Sequence, residues 1–165
     1  MRLFRSKAKE YSLNPEKIGV MGFSAGGHLA SCLSTMFDGG NLKAKDPVDR
    51  ISSRPNFTVL VYPVISFREK FSFDFGRGVL LGDNAAPSLV DSMSTETRVT
   101  NYTPPTFLVH AADDNVKAEN SLAYYWALRE NNVSAEMHIY ERGGHGFGMY
   151  PKEPRIADWT ERLKN

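Results

Sequence analysis

A serine flanked by glycines two positions before and two positions after it carries the clearest chemical signal in the sequence. Residues 22–26 read Gly-Phe-Ser-Ala-Gly, and they separate an apolar, strand-like run at residues 17–22 from a segment with helical spacing. A serine on such a strand-to-helix turn has a strained backbone and an exposed hydroxyl, which suits a nucleophile. We expect the two glycines to approach each other too closely for side chains, and the N–H of Ala25 to face the oxyanion formed when Ser24 attacks a carbonyl group.

A nucleophilic serine needs a base, and the four histidines differ in their positions relative to the predicted strands. His145 lies in the glycine-rich residues 143–148, directly after the last predicted strand, and sites of parallel sheets form at the carboxyl ends of strands. His145 is therefore the candidate base. The others stand within predicted strands or a predicted helix and are expected to be structural, although the helical one is close enough to the serine to be a candidate for a supporting role. They are His138, His110 and His28.

Two adjacent aspartates follow the third predicted strand and offer the carboxylate that would orient the imidazole. The resulting chain order of serine, aspartate and histidine is the one used by enzymes with this type of serine turn. The number of residues from the end of the strand favours Asp114 as this acid, whereas the number of residues back from Val116 favours Asp113. Asp114 is our first choice and Asp113 the alternative acid, while capping of the next helix would be a purely structural role for both.

The elements that must position these residues follow from the apolar pattern. Apolar runs bounded by turn residues predict four strands, and apolar residues spaced three and four apart predict helices. The helix at residues 26–37 would place four apolar side chains against a sheet, those of Leu29, Ala30, Leu33 and Phe37. The predicted strands are residues 17–22, 57–62, 106–111 and 135–140, and the predicted helices are residues 1–11, 26–37, 118–131 and a last one from about 155.

Alternating strands and helices predict an α/β fold, with a mostly parallel sheet of about four strands in one domain spanning residues 1–165. In the helix at residues 118–131, one face would carry Leu122, Tyr125 and Trp126. Residues 66–102 are predicted to be irregular, apart from a short helix near residues 88–93, and such long loops are often functional or lid-like.

The composition excludes several classes of function. Twenty basic and 19 acidic residues nearly cancel without charge blocks, so neither nucleic acid nor a membrane surface is expected as a partner. No apolar run approaches the roughly 20 residues that cross a bilayer, and residues 1–10 are basic rather than signal-like. No histidine and cysteine spacing fits zinc and no glycine motif fits a nucleotide, so we expect no metal and no cofactor. The single cysteine, Cys32, is expected to pack in a helix.

Several stretches resemble landmarks of the acetyl-esterase and xylanase-B-like carbohydrate esterases, which have the α/β-hydrolase fold. The resemblance implies hydrolysis of short acyl esters, such as acetyl groups on xylan-type sugars, with a small-molecule or carbohydrate ester as substrate. It also implies the roles of nucleophile for Ser24, base for His145 and orienting acid for one of the aspartates. The matching stretches are residues 14–30, 62–66, 80–82, 103–107, 110–114, 119–121 and 143–148.

The resemblance further implies that strands preceding the nucleophile strand, and a His-Gly-Gly-type loop that completes the oxyanion hole, lie outside these 165 residues. We therefore expect the C-terminal portion of a longer enzyme, with a partial α/β-hydrolase fold. The open edge of the nucleophile strand predicts a homodimer or pairing with a complementing N-terminal segment. The alternatives are a peptidase of the prolyl-oligopeptidase kind, and a chain with little or no catalytic activity because Ala25 supplies only part of the oxyanion hole.

Overall fold

A sheet of four parallel strands forms the centre of the computed structural model, which describes residues 1–149 and 152–164. The strands lie in the sheet in the same order as in the chain, and each pair is parallel. They are β1 (Val20–Phe23), β2 (Thr58–Val61), β3 (Thr106–Ala111) and β4 (Ala135–Tyr140). The predicted α/β class with about four mostly parallel strands is confirmed. The two central strands are buried along their whole length because helices and loops cover both faces.

Helices cover the two faces of the sheet unequally. On one face, Ala30, Tyr124 and Leu128 pack on the strand residues Leu60 and Leu108. On the other face, the short C-terminal segment supplies the buried cover over the strands. The α-helices are α1 (Arg2–Ser6), α2 (Ala25–Thr35), α3 (Asp74–Leu81), α4 (Pro87–Met93), α5 (Glu119–Glu130) and α6 (Trp159–Arg162), and short 3₁₀ turns occur at Pro15–Lys17, Pro47–Arg50, Thr95–Arg98 and Pro154–Ile156. None of the helices described is long and apolar enough to cross a bilayer.

The face that α2 turns to the sheet differs from the predicted one. Leu29, predicted to face the sheet, is 72% exposed, and of the four predicted contact residues only Ala30 is fully buried. Small residues line the contact instead, including Ser34, whose hydroxyl forms a hydrogen bond of 2.6 Å with the hydroxyl of Thr58. Small side chains let the helix lie close to the strands, so its larger apolar residues remain outside.

The same reversal occurs in α5. Trp126, which the sequence places on an apolar face, is 66% exposed, whereas Tyr124 and Leu128 are buried. The helix buries the polar Asn120 and Ser121 as well, because both form specific hydrogen bonds inside the molecule. Polar residues that bind buried partners thus determine which face points inward.

The connection between β2 and β3 contains more regular structure than predicted. Its predicted short helix is present as α4, but α3 also forms in a stretch expected to be irregular. Conversely, α1 ends at Ser6, earlier than predicted, and the C-terminal segment divides into a 3₁₀ turn and α6. None of the eight residues of α3 is buried, and two of them are glycines, which weaken the helical signal in a sequence.

Candidate active site

Ser24 occupies a sharp turn between β1 and α2 with φ 52° and ψ −120°, a conformation that is strained for a residue with a side chain. Hydrogen bonds on both sides hold it. The N–H of Ser24 donates to the carbonyl of Val61 at 3.0 Å, and its own carbonyl accepts from the N–H groups of His28 and Val64, each at 3.2 Å. The turn is therefore fixed to the end of β2 as well as to the first turn of α2.

The steric need for glycine around Ser24 differs from the prediction. A Cβ atom on Gly22 would overlap the carbonyl group of Gly26, so glycine is required at Gly22. A Cβ on Gly26, in contrast, would meet nothing within 4 Å. The second tight position is Gly27, where a Cβ would lie 2.7 Å from Cβ of Pro63. The expectation that both flanking glycines are sterically required is therefore wrong for Gly26.

A chain of hydrogen bonds joins Ser24 to His145 and Asp114. The hydroxyl of Ser24 lies 2.8 Å from Nε2 of His145, and Nδ1 of the same ring lies 2.9 Å from the carboxylate of Asp114. Because a carboxylate only accepts, we assign the ring proton to Nδ1, which leaves Nε2 to accept from the serine hydroxyl. This arrangement can remove the proton of Ser24 as its oxygen attacks an electrophile.

The two adjacent aspartates contact different parts of the histidine loop. Asp114 binds the imidazole, whereas Oδ1 of Asp113 accepts hydrogen bonds from the backbone N–H groups of Gly143 and Gly144, at 2.9 and 2.8 Å. Of the two candidate acids, the structure thus brings Asp114 to the ring. Asp113 holds the start of the loop that carries His145, a contact that nothing in its local sequence signals.

Asp114 is 3% exposed and is held from several directions. The N–H of Val116 donates to its Oδ1 at 2.7 Å, and Nε2 of His110 lies 3.4 Å from its Oδ2. Burial alone would raise the pKa of Asp114, but the hydrogen bonds from His110, His145 and Val116 outweigh it and lower that pKa. The carboxylate is therefore ionised at neutral pH despite its burial.

The three other histidines are not members of the chain Ser24–His145–Asp114, although His110 borders it at Asp114. His110 is fully buried, with Nδ1 2.8 Å from the hydroxyl of Ser121 and Nε2 2.8 Å from the carbonyl of Val116. The ring of His138 lies 2.6 Å from the carboxylate of Glu136, within β4. These contacts are structural, although those of His110 also support Asp114.

His28, the candidate for a supporting role, connects α2 to the end of α4. Its Nε2 donates to the carbonyl of Met93 at 2.9 Å, and its ring packs on Phe67 at 4.8 Å between centroids. Burial lowers the pKa of His28, so the ring is neutral at pH 7. Its Nδ1 lies 3.7 Å from Sγ of Cys32, whose pKa burial raises to about 11, so that this thiol is not ionised at neutral pH.

Ala25 begins α2 immediately after the serine. The N–H groups of the first turn of a helix have no acceptor within the helix, and the positive end of the helix dipole lies there. The N–H of Ala25 is thereby suited to an oxygen that becomes negatively charged beside Ser24. In the described residues, no group of three or more histidine, cysteine or acidic side chains is arranged to hold a metal ion.

Comparison with known families finds a model that covers most of the chain. The model of the BD-FAE family matches residues 1–128 of the chain. The chain belongs to the BD-FAE family. The match includes the serine turn and both aspartates and ends before the loop of His145, so it covers two of the three elements that form the site.

Two curated relatives of this BD-FAE chain act on xylan according to their names. An acetylxylan esterase of Xylanibacter ruminicola is 38% identical over 153 residues, which cover 90% of this chain and 29% of the relative. Endo-1,4-beta-xylanase B of Butyrivibrio fibrisolvens is 35% identical over 148 residues, which cover 88% of this chain and 23% of the relative. The predicted family resemblance is confirmed, and the chain spans less than a third of the length of either relative.

Solved structures show the same fold. The acetyl ester-xyloside bifunctional hydrolase of Caldicellulosiruptor lactoaceticus is 44% identical, with a TM-score of 0.95 over 99% of this BD-FAE chain and 60% of its own. An esterase of Thermogutta terrifontis, solved with propionate bound, is 27% identical with a TM-score of 0.72 over 99% of this chain and 58% of its own. The four-stranded sheet is therefore part of the α/β-hydrolase fold.

Proposed function

We propose that this chain carries the nucleophile, base and acid of a serine esterase that removes short acyl groups, foremost acetyl, from xylan-type sugars. The observation that carries the proposal is the hydrogen-bonded chain from the hydroxyl of Ser24 through the imidazole of His145 to the buried carboxylate of Asp114. The strained serine turn and the membership of the BD-FAE family support it. The substrate is a carbohydrate ester or a small-molecule ester, and no cofactor takes part.

The first half of the proposed reaction transfers the acyl group to the enzyme. Oγ of Ser24 attacks the carbonyl carbon of the ester while Nε2 of His145 accepts the hydroxyl proton. The carbonyl oxygen becomes an oxyanion, which the N–H of Ala25 stabilises. When the tetrahedral intermediate collapses, His145 gives the proton to the departing sugar oxygen, and the acyl group remains on Ser24.

In the second half, water replaces the sugar. His145 takes a proton from the water as it attacks the acyl carbon and then returns it to Oγ of Ser24, which releases the carboxylic acid. Asp114 stays ionised throughout and stabilises the imidazolium that forms twice in each cycle. Its lowered pKa suits this role, because only the ionised carboxylate carries the negative charge that stabilises the imidazolium.

The acetyl and xylan assignment rests on the relatives. One is named an acetylxylan esterase, and the solved hydrolase with a TM-score of 0.95 is named for acetyl ester and xyloside hydrolysis. We infer that this chain shares the acetyl part of that chemistry because it is 38% and 44% identical to these two proteins over 90% and 99% of its length.

Hydrolysis of p-nitrophenyl acetate by the purified polypeptide tests the proposal, with Ser24→Ala as the matched control. We expect a rate for the wild-type protein that the variant loses, and acetate release from acetylated xylan that follows the same pattern. Equal rates for both proteins would reject the esterase. Faster cleavage of a proline-containing peptide nitroanilide than of the acetyl ester would favour the peptidase alternative instead.

Covalent labelling separates a formed site from turnover. Loss of one oxyanion donor typically costs about 10²- to 10³-fold in rate, and Ala25 accounts for one donor. A fluorophosphonate needs a reactive Ser24 but no completed cycle, so we expect stoichiometric labelling even if turnover is slow. Labelling that Ser24→Ala does not abolish would show that another residue reacts.

A further inference from the structure

Tyr62 stands at the carboxyl end of β2 and, like the nucleophile, has a positive φ. Its φ is 39°, and its N–H donates to the carbonyl of Val109 at 2.8 Å, which fixes its backbone to β3. The residue is only 4% exposed. A tyrosine at positive φ is rare and costs free energy, so the surrounding contacts must hold it in place.

The side chain of Tyr62 contacts the histidine loop at two points. Its ring meets the imidazole of His145 edge-on, with 4.9 Å between centroids and 61° between planes, and packs on Phe147 at 4.5 Å and 82°. Its hydroxyl oxygen accepts a hydrogen bond of 3.2 Å from the N–H of Gly148. One side chain therefore contacts the ring of His145 and also the end of its loop.

The histidine loop depends on such contacts because its glycines give it little conformational preference of its own. Gly144, Gly146 and Gly148 all have positive φ, at 60°, 80° and 59°. Asp113 binds the start of the loop, as described above, and at its end Nε1 of Trp159 donates to the carbonyl of Gly148 at 3.1 Å. His145 lies between these two attachment points.

We propose that Tyr62 is a positioning residue for the hydrolysis proposed above: its ring sets the plane of the His145 imidazole, and its hydroxyl fixes the end of the loop. The proposal rests on the proposed function of Ser24 and His145. Tyr62 acts through His145 and takes no part in proton transfer. Burial raises the pKa of Tyr62, so the hydroxyl stays neutral.

Two substitutions separate the two contacts. Tyr62→Phe keeps the ring and removes only the acceptor for Gly148, so we expect kcat for p-nitrophenyl acetate to fall about 3- to 10-fold, the usual size for one hydrogen bond. Tyr62→Leu removes the aromatic edge contact but keeps an apolar side chain, and we expect a loss of up to about 10²-fold, as for a misplaced catalytic group. KM should stay within about twofold in both, because alignment of the base matters in the transition state.

Tyr140→Phe is the matched control. The hydroxyl of Tyr140 donates to Asp158 at 2.8 Å, and the ring belongs to the core on the same face of the sheet as Tyr62. The control removes a comparable hydrogen bond away from His145, so kcat should not change. Thermal unfolding of each variant shows whether it is folded under the assay conditions.

A readout without catalysis completes the test. The C–H signals of the His145 ring in ¹H–¹³C NMR spectra, assigned by their loss in His145→Ala, sense the ring current of Tyr62. We expect them to shift in Tyr62→Leu and to stay in place in Tyr140→Phe. Unshifted signals, or a folded Tyr62→Leu with unchanged kcat, would overturn the positioning role. A wild-type protein that neither hydrolyses the ester nor labels with the fluorophosphonate would overturn the proposed function, and the NMR shifts would then decide the role of Tyr62 alone.

Discussion

Asp113 and Asp114 are neighbours in the chain but contact different parts of the histidine loop. Asp113 binds the backbone of the loop, and Asp114 binds the side chain of His145. Substitution by asparagine distinguishes their roles. Asn at position 113 keeps an oxygen that can accept from Gly143 and Gly144, so we expect Asp113→Asn to lose no more than about 3-fold in kcat. Asp114→Asn cannot stabilise the imidazolium of His145 and should lose on the order of 10³- to 10⁴-fold.

Steady-state hydrolysis of p-nitrophenyl acetate measures both losses. The reverse order, with the larger loss in Asp113→Asn, would assign the orienting carboxylate to Asp113 and contradict the role proposed for Asp114.

The lowered pKa of Asp114 makes a prediction about acid stability. Because the folded-state pKa lies below the unfolded value of about 3.9, ionised Asp114 stabilises the folded state above that pH, and this contribution disappears as the pH falls through the folded-state pKa. The difference in unfolding free energy between wild type and Asp114→Asn should therefore be largest near neutrality and shrink below about pH 4. Urea unfolding from pH 7 to pH 3 measures it, and a difference independent of pH would contradict the shift.

The glycines of the serine turn predict opposite effects for two identical substitutions. Gly22→Ala forces a methyl group into the carbonyl of Gly26 and should lower the unfolding free energy by about 1–3 kcal/mol. Gly26→Ala adds a methyl group where no atom lies within 4 Å and removes a flexible residue from α2, so it should raise that free energy by about 0.5–1 kcal/mol. Urea unfolding compares the pair, and equal destabilisation would show that both positions are tight.

At the scale of elements, the strands were the most predictable feature. β2 and β3 are buried on both faces, so each contains an uninterrupted apolar run, residues 59–61 and 107–109, that a sequence shows directly. The inward faces of α2 and α5 could not be predicted from apolar spacing, since small residues such as Ser34 and polar ones such as Asn120 occupy them.

The site was predictable to the extent that it depends on local pattern. The serine turn and the glycine-rich loop of His145 are visible in the sequence. The choice between Asp113 and Asp114 depends on how two distant segments meet, and the contacts of Tyr62 depend on a loop 86 residues away. Such long-range contacts leave no mark in local composition.

Asn120 also makes long-range contacts, and they organise the segment after β2. From the first turns of α5, its Oδ1 accepts from the N–H groups of Ile65 and Ser66 at 2.9 and 3.0 Å. Asn120→Ala would leave two buried donors without an acceptor, at a cost of about 1–3 kcal/mol for each. Urea unfolding should show this loss.

Asn131→Ala is the matched control. Asn131 is half-buried at the end of the same helix, and its side-chain amide donates a hydrogen bond of 2.9 Å to the carbonyl of Ala127. We expect a smaller loss there, since that carbonyl keeps a second hydrogen bond, from the backbone N–H of Asn131 at 3.2 Å. A loss in Asn131→Ala as large as in Asn120→Ala would contradict the role assigned to Asn120.

For the whole molecule, β1 is an edge strand in the described sheet, and apolar surface is exposed on it and on the helix that follows it. Met21 lines an open depression of about 530 Å³ with Phe57, Val59 and Phe107, and Leu29 is largely exposed. Unpaired edges and apolar patches favour association. We propose that residues 1–165 form a homodimer through this edge at high concentration.

Light scattering after size-exclusion chromatography measures the mass as a function of concentration. Met21→Lys should shift the equilibrium to the monomer, because a lysine on an edge strand opposes its pairing with another strand. Trp126→Lys, which alters an equally apolar exposed position on α5, should leave it unchanged. A monomer at every concentration, or equal effects of both substitutions, would contradict the proposal.

The strand order β1-β2-β3-β4 also has a consequence for biosynthesis. Each new strand joins the same side of the existing sheet, so a nascent chain leaving the ribosome can extend the sheet without rearranging what has already formed. Ser24 emerges 121 residues before His145, and the nucleophile is without its base during that interval. We therefore expect Ser24 to become reactive only after the loop that carries His145 has been made.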